Sequence, residues 1–311
     1  MIRRLFRKAL GKDMMWQCVQ SLEKIELQNR VTMGMSRAVL TRDPNPDPLN
    51  PESWEFSGFS QHGEDGVIDF LIKQLNHKNE FFVEIGAADG TQNCTAWLAY
   101  VRQYCGLMIE GNAVVVAKAK MALQELNWGV RFISAFVDQD NVKHLLKQCP
   151  FHDPDVFSLD IDGIDYYVAK AIFAGGFRPK IFIVEYNSAF GPDHAVTVPY
   201  RQSFSRFHEH PTGLYYGVSI AAWRQLFKEQ GYEFISTERS GTNAFFIDPA
   251  AFPAGFARRL QKVDFRMNYS DQNAATNPLP DDKGELRTRR LDWKTQYEMI
   301  KDMPMVHTNG N

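Results

Sequence analysis

The sequence predicts an α/β protein with a mostly parallel central sheet, helices on both faces and an antiparallel hairpin at one edge. From about residue 57, short apolar segments of strand length alternate with segments of helical periodicity. This alternation is typical of parallel sheets that helices cover on both sides. The last two predicted strands, at 232–237 and 243–248, are joined by a short turn and therefore predict the edge hairpin.

The composition is that of an ordinary globular protein. The 311 residues are 44% hydrophobic and 23% charged, and the net charge of -2 gives no electrostatic reason to expect nucleic acid as a partner. No apolar stretch reaches the roughly 18 residues that a membrane span needs, and the N-terminus lacks the apolar core of a signal peptide. The four cysteines form no Cys-x-x-Cys pair, which argues against a zinc site or a disulfide framework and predicts a cytoplasmic location.

Residues 1–56 are predicted to form an N-terminal extension. Residues 1–40 have helical periodicity, and a Pro-rich linker follows at 43–51 because repeated prolines interrupt helices and strands. This helix either packs against its own domain or a second subunit, or lies on the anionic inner face of a membrane. The first turns place Ile2, Leu5, Phe6, Ala9 and Leu10 on one face and Arg3, Arg4, Arg7 and Lys8 on the other.

Residues 57–250 are predicted to form the main domain, and residues 251–311 a C-terminal extension with a helix at 290–302. Within the main domain, apolar runs predict strands at 81–86, 105–110, 130–137, 155–160 and 180–186. Segments of helical periodicity predict helices at 64–76, 93–102, 114–127, 140–148, 165–174 and 219–230.

The first of these strands leads into a loop with little side-chain bulk, in the pattern Glu84-x-Gly86-x-x-x-Gly90. Such a loop lets the backbone come close to a nucleotide-like ligand at a helix N-terminus, and Glu84 can hold polar ligand groups. The spacing differs from the dinucleotide and Walker motifs and resembles the first motif of S-adenosylmethionine-dependent methyltransferases. A tight turn that binds no ligand is the alternative interpretation.

Acidic residues lie at or just after the ends of the predicted parallel strands, where ligands bind in sheets of this type. Glu110 can accept hydrogen bonds from both ribose hydroxyls of an adenosine, and Asp138 would lie near an adenine amino group. One such acid is usually a helix cap or a solvated loop residue, but several converging carboxylates repel each other unless a ligand or cation offsets them. The set consists of Glu84, Glu110, Asp138, Asp160, Asp162 and Glu185, with Asn187 following the last strand.

Six motifs that occur together and in order resemble the FkbM-type methyltransferase group, in the branch found among sugar and surface-glycan biosynthesis genes. The resemblance covers residues 57–248 and implies a Rossmann-like methyltransferase fold, S-adenosyl-L-methionine as methyl donor and a hydroxyl oxygen as acceptor. The motifs are Ser60-Gln61-His62-Gly63-Glu64-Asp65-Gly66, Phe82-Val83-Glu84-Ile85-Gly86, Ile109-Glu110-Gly111-Asn112, Ser158-Leu159-Asp160-Ile161-Asp162-Gly163-Ile164-Asp165-Tyr166, Val184-Glu185-Tyr186-Asn187 and Gly241-Thr242-Asn243-Ala244-Phe245-Phe246.

The resemblance also implies which residues contact the cofactor. Glu84, Gly86 and Gly90 would line the methionine side, Glu110 would hold the ribose, and Asp138 would lie at the adenine edge. Residues 60–62 would cover the cofactor from the helix before the first strand. The complete expected set is Ser60, Gln61, His62, Glu84, Gly86, Gly90, Glu110, Asn112, Asp138 and Asp160.

A divalent cation is predicted beside the cofactor. Asp160, Asp162, Glu185 and Asn187 follow adjacent strands and offer the carboxylate and amide oxygens that Mg²⁺ or Mn²⁺ prefers. A sugar hydroxyl is a poor nucleophile at neutral pH, so it needs a Lewis acid or a general base. The candidate bases are Asp162, Asp165 and His194. The alternative is that Asp162 and Asp165 cap the next helix while Glu185 and Asn187 fix loops.

The function predicted from these features is O-methylation of a sugar or surface-glycan hydroxyl by a cytoplasmic enzyme. Two alternatives stay open. One is a non-catalytic scaffold of a membrane-associated glycan assembly, docked through its N-terminal helix. The other is a nucleotide-sugar oxidoreductase on a similar sheet, which would need a Gly-x-Gly-x-x-Gly loop that the sequence lacks.

Overall fold

The computed structural model describes residues 2–269, 279–280, 286–287 and 291–308, and the side chains of residues 14–269 and 291–308. Its strands are β1 (Phe81–Ile85), β2 (Cys105–Glu110), β3 (Val130–Ser134), β4 (Val156–Leu159), β5 (Ile181–Glu185), β6 (Val196–Thr197), β7 (Glu233–Thr237), β8 (Asn243–Ile247), β9 (Leu279–Pro280), β10 (Leu286–Arg287) and β11 (Val306–His307). Its α-helices are α1 (Ile2–Thr41), α2 (Pro51–Trp54), α3 (Glu64–Ile72), α4 (Ala96–Tyr100), α5 (Ala113–Leu123), α6 (Val142–Leu146), α7 (Asp165–Ala174), α8 (Arg206–Glu209), α9 (Ile220–Glu229) and α10 (Trp293–Ile300).

Seven strands form one sheet in the order β3-β2-β1-β4-β5-β8-β7. The first five strands in this order are parallel, whereas β8 is antiparallel to both β5 and β7. The predicted α/β fold class, with its mostly parallel sheet and its antiparallel edge hairpin, is therefore confirmed. The order reverses between β1 and β4, and this is the position where open α/β sheets bind ligands.

Apolar side chains cover both faces of this sheet. One buried cluster joins Val31 of α1 and Ile68 of α3 to Phe82 and Phe245 of the sheet. The opposite cluster contains residues of α7 and α9, including Trp223, and the side chains of β1, β4 and β5 that point the other way. Successive residues of a strand alternate between its two faces, so continuously apolar strands such as β5 are buried on both sides.

Several predicted element boundaries differ from the structure. The helix predicted at 93–102 begins only at Ala96, because the Asn93 side-chain oxygen accepts the Ala96 N–H at 2.8 Å. The last proline of the predicted linker, Pro51, is the first residue of α2, a position where its missing N–H costs nothing. The segment containing Ser60 is a loop that precedes α3, not part of a helix as predicted.

The N-terminal extension packs against the main domain through α1. Leu27, Val31 and Ala38 are buried there, and α1 lies against α5. The apolar and basic side chains predicted to form two faces in the first turns lie outside the described side chains. Among the described residues, we find no helix with the length and apolar character needed to cross a lipid bilayer.

Residues beyond 250 also contribute to the packed structure. Phe252, Phe256 and Leu260 join the buried cluster on one face of the sheet. Further along the chain, β11 pairs with β6, and Ile300 of α10 is fully buried against the loop that follows β5. The C-terminal part of the chain therefore supports the loops at the carboxyl edge of the sheet.

Candidate functional site

Two adjoining cavities open at the carboxyl edge of the sheet. We call them the Glu110 cavity, of about 420 Å³, and the Glu185 cavity, of about 270 Å³, after an acidic residue that lines each one. They form a continuous cleft because five residues line both cavities. These shared residues are Gln61, Gly86, Gln92, Asp160 and Asp162.

Gly86 sets the shape of this cleft at the end of β1. Its φ angle is +89°, and a Cβ atom placed on it would lie only 1.6 Å from the carbonyl oxygen of Asp160. The Gly86 N–H also donates to the carbonyl oxygen of Ile109 at 2.9 Å. Glycine is therefore required here, both for its left-handed backbone conformation and for the close approach of the β1 and β4 ends.

Glu110 lies at the end of β2 and lines the Glu110 cavity, as predicted for a residue that holds a ribose. Its carboxylate accepts the N–H groups of Ala88 at 3.1 Å and of Asn112 at 2.8 Å. Phe136, whose side chain is 82% exposed, packs over Gly111 on the same wall. The remaining wall is mixed: it contains the apolar side chains of Ile85, Ile109, Val137, Ile164 and Phe204 together with the polar side chains of Gln61, Gln92, Asp160, Asp162 and Gln202.

Asp138 is not a wall residue of either cavity, although it was predicted to contact the adenine edge. Its buried carboxylate accepts the N–H groups of Asp140 and Asn141, at 2.9 and 2.8 Å, and an amide N–H of Gln202 at 2.6 Å. Gln202 does line the Glu110 cavity. Asp138 therefore holds Gln202 in place. Gln202 lies in an irregular loop, and no sequence pattern identified it as a site residue.

Glu84 is buried at the wall of the Glu185 cavity. Its carboxylate accepts the N–H groups of Cys94 and Thr95, each at 3.0 Å, and a hydrogen bond from the Thr95 hydroxyl. Burial raises the pKa of the Glu84 carboxyl to about 7, although these hydrogen bonds act in the opposite direction. Its oxygens thus anchor the segment that leads into α4.

Three carboxylates meet in the Glu185 cavity: those of Asp160, Asp162 and Glu185. One oxygen from each lies within 4.8 Å of the others. Burial, and next the charges of Asp162 and Asp165, raise the pKa of Asp160 well above its ordinary value. Three of the four predicted metal ligands are therefore brought together.

Arg206 lies beside this cluster and was not predicted from the sequence as a site residue. Its guanidinium donates to Asp162 at 2.6 Å and to the carbonyl oxygen of Gly213 at 3.0 Å, and it lies 3.7 Å from the centre of the Tyr216 ring. The Tyr216 hydroxyl in turn donates to Glu185 at 3.3 Å. Arg206 thus supplies positive charge to a wall that also contains Glu64 and Glu84.

Three predicted residues lie outside the cleft. Asn187 was predicted as a metal ligand, but its amide donates to the carbonyl oxygens of Leu214 and Tyr216 and accepts the Ala189 N–H. The Asp165 carboxylate accepts the N–H groups of Ile161 and Gly163 and is buried, so it fixes the turn before α7. His194, which like Asp165 was a candidate base, packs against the rings of Trp293 and Tyr297.

Two predicted cofactor contacts also have structural roles. A Cβ atom on Gly90 would meet Phe132, Leu123 and Met108, so this glycine faces packed side chains instead of either cavity. Asn112 caps α5, because its side-chain oxygen accepts the N–H groups of Val114 and Val115. The other predicted cofactor residues, Ser60, Gln61, His62, Glu84, Gly86, Glu110 and Asp160, all line the cleft.

Other polar residues line the Glu185 cavity without having been predicted as site residues. Asn268 comes from the C-terminal extension, and its amide donates to Thr242 at 3.2 Å. The Asn243 amide donates to Glu64 at 2.8 Å. The remaining polar residues of this wall are Gln92, Asn93, Cys94 and Ser158. A motif match included Asn243, but no local pattern indicates that Asn268 returns to the sheet edge.

The sequence matches no protein-family model and no curated protein. Solved structures with a similar fold include the METTL16 MTase domain, at 12% identity over 60% of this chain and 66% of that chain, with a TM-score of 0.38. A SAM-dependent methyltransferase from Geobacter sulfurreducens in complex with S-adenosyl-L-homocysteine has 14% identity over 67% of this chain and 72% of that chain, with a TM-score of 0.36. The 4+2 cyclase SpnF has 16% identity over 55% of this chain and 59% of that chain, with a TM-score of 0.35. One fold supports many chemistries, so function has to be argued from the cleft itself.

Proposed function

We propose that this protein is an S-adenosylmethionine-dependent O-methyltransferase that acts on a hydroxyl group of a sugar or surface glycan with the help of a divalent cation. The observation that carries this proposal is the pairing of two different cavities at Gly86 and Asp160. One contains the Glu110 carboxylate beside the side chains of Phe136 and Val137, and the other has three converging carboxylates. Their junction would bring a donor and an acceptor together.

The Glu110 cavity fits the nucleoside part of the cofactor. Glu110 would accept hydrogen bonds from the ribose hydroxyls, and the exposed ring of Phe136 with Val137 would cover the adenine. The absent side chain of Gly86 leaves room for close approach to the backbone. Acidic residues surround the junction, and such a site favours a cationic sulfonium. When bound, S-adenosylmethionine would supply an electrophilic methyl group.

The Glu185 cavity fits a small acceptor with several hydroxyl groups. Among the described residues that line it there is no phenylalanine, tyrosine or tryptophan, whereas amide, hydroxyl and carboxylate groups are abundant. Asn243, Asn268 and Thr242 can exchange hydrogen bonds with hydroxyls. A polar wall of this kind fits a sugar acceptor better than a flat aromatic acceptor, because an aromatic acceptor requires an apolar contact surface.

The carboxylates of Asp160, Asp162 and Glu185 would hold Mg²⁺ or Mn²⁺, since hard cations prefer oxygen ligands. The cation would supply Lewis acidity toward a neighbouring hydroxyl group. Methylation of a hydroxyl releases one proton, and Asp162 is the candidate base that the cleft retains. Its side chain is about half exposed, so a proton that it accepts can pass to solvent.

We also propose that the protein belongs to the FkbM-type branch. The support is spatial, because residues from five of the six motifs line the Glu185 cavity, including Ser60, Gly86, Asp160, Glu185 and Asn243. The remaining motif, Ile109-Glu110-Gly111-Asn112, contributes Glu110 to the adjoining cavity. Motifs that lie far apart in the sequence thus form the walls of one cleft.

Binding of S-adenosylhomocysteine, measured by calorimetry, tests the cofactor. We expect binding by the unchanged protein and a roughly 10- to 100-fold loss in Glu110→Ala, since a hydrogen bond to a charged group contributes about 1.5–3 kcal/mol. Glu229→Ala removes an exposed acid on α9, outside the cleft, and should bind normally. Absence of binding by the unchanged protein would contradict the methyltransferase proposal and favour the scaffold. Binding of a nicotinamide dinucleotide instead would favour the oxidoreductase.

Titration with Mn²⁺, followed by electron paramagnetic resonance, tests the cation without requiring an acceptor. The combined change Asp160→Asn and Glu185→Gln should abolish specific binding, because it removes two of the three carboxylates. Asp193→Asn changes an exposed acid after β5 that lines neither cavity, and it should leave binding unchanged. Equal Mn²⁺ binding by all three proteins would remove this cluster from the proposal.

A further inference from the structure

Helix α1 presents an unusual concentration of exposed apolar side chains. Of the eighteen large hydrophobic side chains that are exposed in the described part of the chain, ten lie on α1 between Met14 and Leu40. The other eight are scattered over the rest of the described residues. Single exposed hydrophobic residues need no explanation, whereas a contiguous apolar surface indicates an interaction site.

Most of these side chains lie opposite the face through which α1 packs on its own domain. The packed face contains Leu27, Val31 and Ala38. Ion pairs join the same side of the helix to the domain, from Glu23 to Lys118 and from Lys24 to Glu125. At about 100° per residue, eight of the ten exposed apolar residues fall on the other side of the helix, and Trp16 and Met35 are the exceptions.

The exposed residues follow a regular seam along the helix. Met15, Val19, Leu22, Met33 and Leu40 fall on positions that alternate by four and three residues, which is the spacing of helices that pair over several turns. Three polar residues, Glu26, Asn29 and Ser36, occupy the remaining positions of this seam. Its length from Met15 to Leu40 is about 38 Å at 1.5 Å per residue.

We propose that this seam binds the same seam of a second copy of the chain, with the two helices antiparallel. A two-fold axis between Leu27 and Gln28 would place Met15 opposite Leu40, and Leu22 opposite Met33. It would also place Glu26 opposite Asn29, so that polar residues meet near the axis. Only Val19, opposite Ser36, faces a residue of different polarity.

This self-complementarity identifies a second copy as the occupant. A two-fold interface uses the same patch on both subunits, so the patch must match its own reverse. The five apolar residues of the seam and the flanking Met14, Ile25 and Val39 make eight exposed apolar side chains. At roughly 100 Å² for each, a copy would lose about 800 Å² of exposed surface, which is the size of a standard protein interface. The pairing is independent of the proposed enzymatic function.

The charges of α1 distinguish this partner from an anionic membrane. Helices that lie on such membranes carry basic residues along their exposed polar flank. Of the three basic side chains of α1 that the structure describes, Lys24 and Arg30 pair with Glu125 and with Asp89 of their own domain, and Arg37 is exposed. The exposed seam contains the acidic Glu26 at its centre and no lysine or arginine.

Light scattering coupled to size-exclusion chromatography tests the pairing. The unchanged full-length chain should have twice the mass of a monomer, and the combined change Leu22→Glu and Met33→Glu should reduce it to the monomer mass. Both residues are exposed, at 65% and 70%, so the fold should persist, as circular dichroism would verify. The matched control changes two exposed apolar residues elsewhere, Val114→Glu and Trp128→Glu, and should stay dimeric.

A cysteine experiment tests the antiparallel direction. In a chain carrying Cys18→Ser and Cys105→Ser, the combined change Leu22→Cys and Met33→Cys should give a disulfide-linked dimer on oxidation. The two positions are about 16 Å apart within one helix, too far for a bond inside one chain. Leu22→Cys alone should not link, since its neighbour in the second copy is Met33.

Three outcomes would overturn the inference. A monomeric unchanged protein at tens of micromolar would remove the interface. Efficient linking by Leu22→Cys alone would indicate a parallel pair. Binding of the monomer to phosphatidylglycerol vesicles, with loss of that binding in Leu22→Glu combined with Met33→Glu, would assign the seam to a membrane.

Discussion

Asp162 has the backbone geometry of a residue held under local strain. Its φ angle is +56°, which costs a residue with a Cβ atom about 1 kcal/mol or more. The Asp165 carboxylate stabilises this turn by accepting the N–H groups on either side of it, from Ile161 and Gly163. The turn directs Asp162 toward Arg206 and the carboxylate cluster. Asp165 therefore acts by positioning Asp162.

Glu55 permits a prediction about stability and pH. Burial, and then the charge of Glu238, raise the pKa of the Glu55 carboxyl to about 8. Between the ordinary glutamate pKa and about pH 8, the folded protein binds a proton that the unfolded chain releases. Stability from this group is therefore complete at low pH and is lost as the pH rises, by up to about 1.4 kcal/mol per pH unit.

The change Glu55→Gln should remove this contribution because glutamine does not titrate. Urea denaturation at several pH values between 5.5 and 7.5 should show the variant gaining stability relative to the unchanged protein as the pH rises. Parallel curves for Glu55→Gln and the unchanged protein would refute the assigned pKa.

The loops at the carboxyl edge of the sheet, more than the strands themselves, determine the shape of the cleft. The loop at 58–63 is anchored by one carboxylate oxygen of Asp65, which accepts the N–H groups of Gly58, Phe59 and Ser60. This anchoring places Gln61 where it lines both cavities. A single buried acid thus organises a wall that a motif alone does not explain.

The turn after β1 permits a prediction with a matched control. Gly86→Ala should greatly destabilise the protein and abolish binding of S-adenosylhomocysteine, because the new Cβ would overlap the Asp160 carbonyl oxygen. Gly176→Ala has a similar φ angle of +80° but no atom within 4 Å of the new Cβ. It should cost only the conformational penalty of about 1–2 kcal/mol and preserve binding.

Urea denaturation and calorimetry on both variants separate backbone strain from steric overlap. A difference of several kcal/mol between the two glycine variants would measure the overlap at Gly86. Equal stability losses would show that the β1 and β4 ends can move apart, and the assigned shape of the cleft would then be wrong.

At the scale of the whole molecule, the cleft depends on segments from the C-terminal part of the chain. Asn268, from the extension after the main domain, lines the Glu185 cavity. Farther on, the Tyr215 hydroxyl donates to the carbonyl oxygen of Pro304, and Trp293 packs over Gly191 in the loop after β5. The N-terminal helix covers the domain on another side and carries the seam proposed for pairing two copies.

The sequence by itself determined the class of fold and most of the sheet. Apolar runs such as Ile181–Glu185 are buried on both faces, and this burial depends on local composition, which the sequence displays directly. Acids at strand ends, including Glu110 and Asp160, also reach the predicted edge, because parallel strands bring their carboxyl ends together. Helix boundaries were less predictable, since side-chain hydrogen bonds such as that from the Ala96 N–H to Asn93 hold the residues before a helix in a turn.

Only the tertiary structure decided which polar groups face the cleft. Asp165 and Asn187 have the residue types and positions expected of functional groups, but their side chains form hydrogen bonds with backbone N–H and carbonyl groups. Arg206 and Asn268 enter from loops whose paths depend on long-range packing. Buried polar groups must find hydrogen-bond partners, and those partners come from chain segments far apart in the sequence, which local patterns do not reveal.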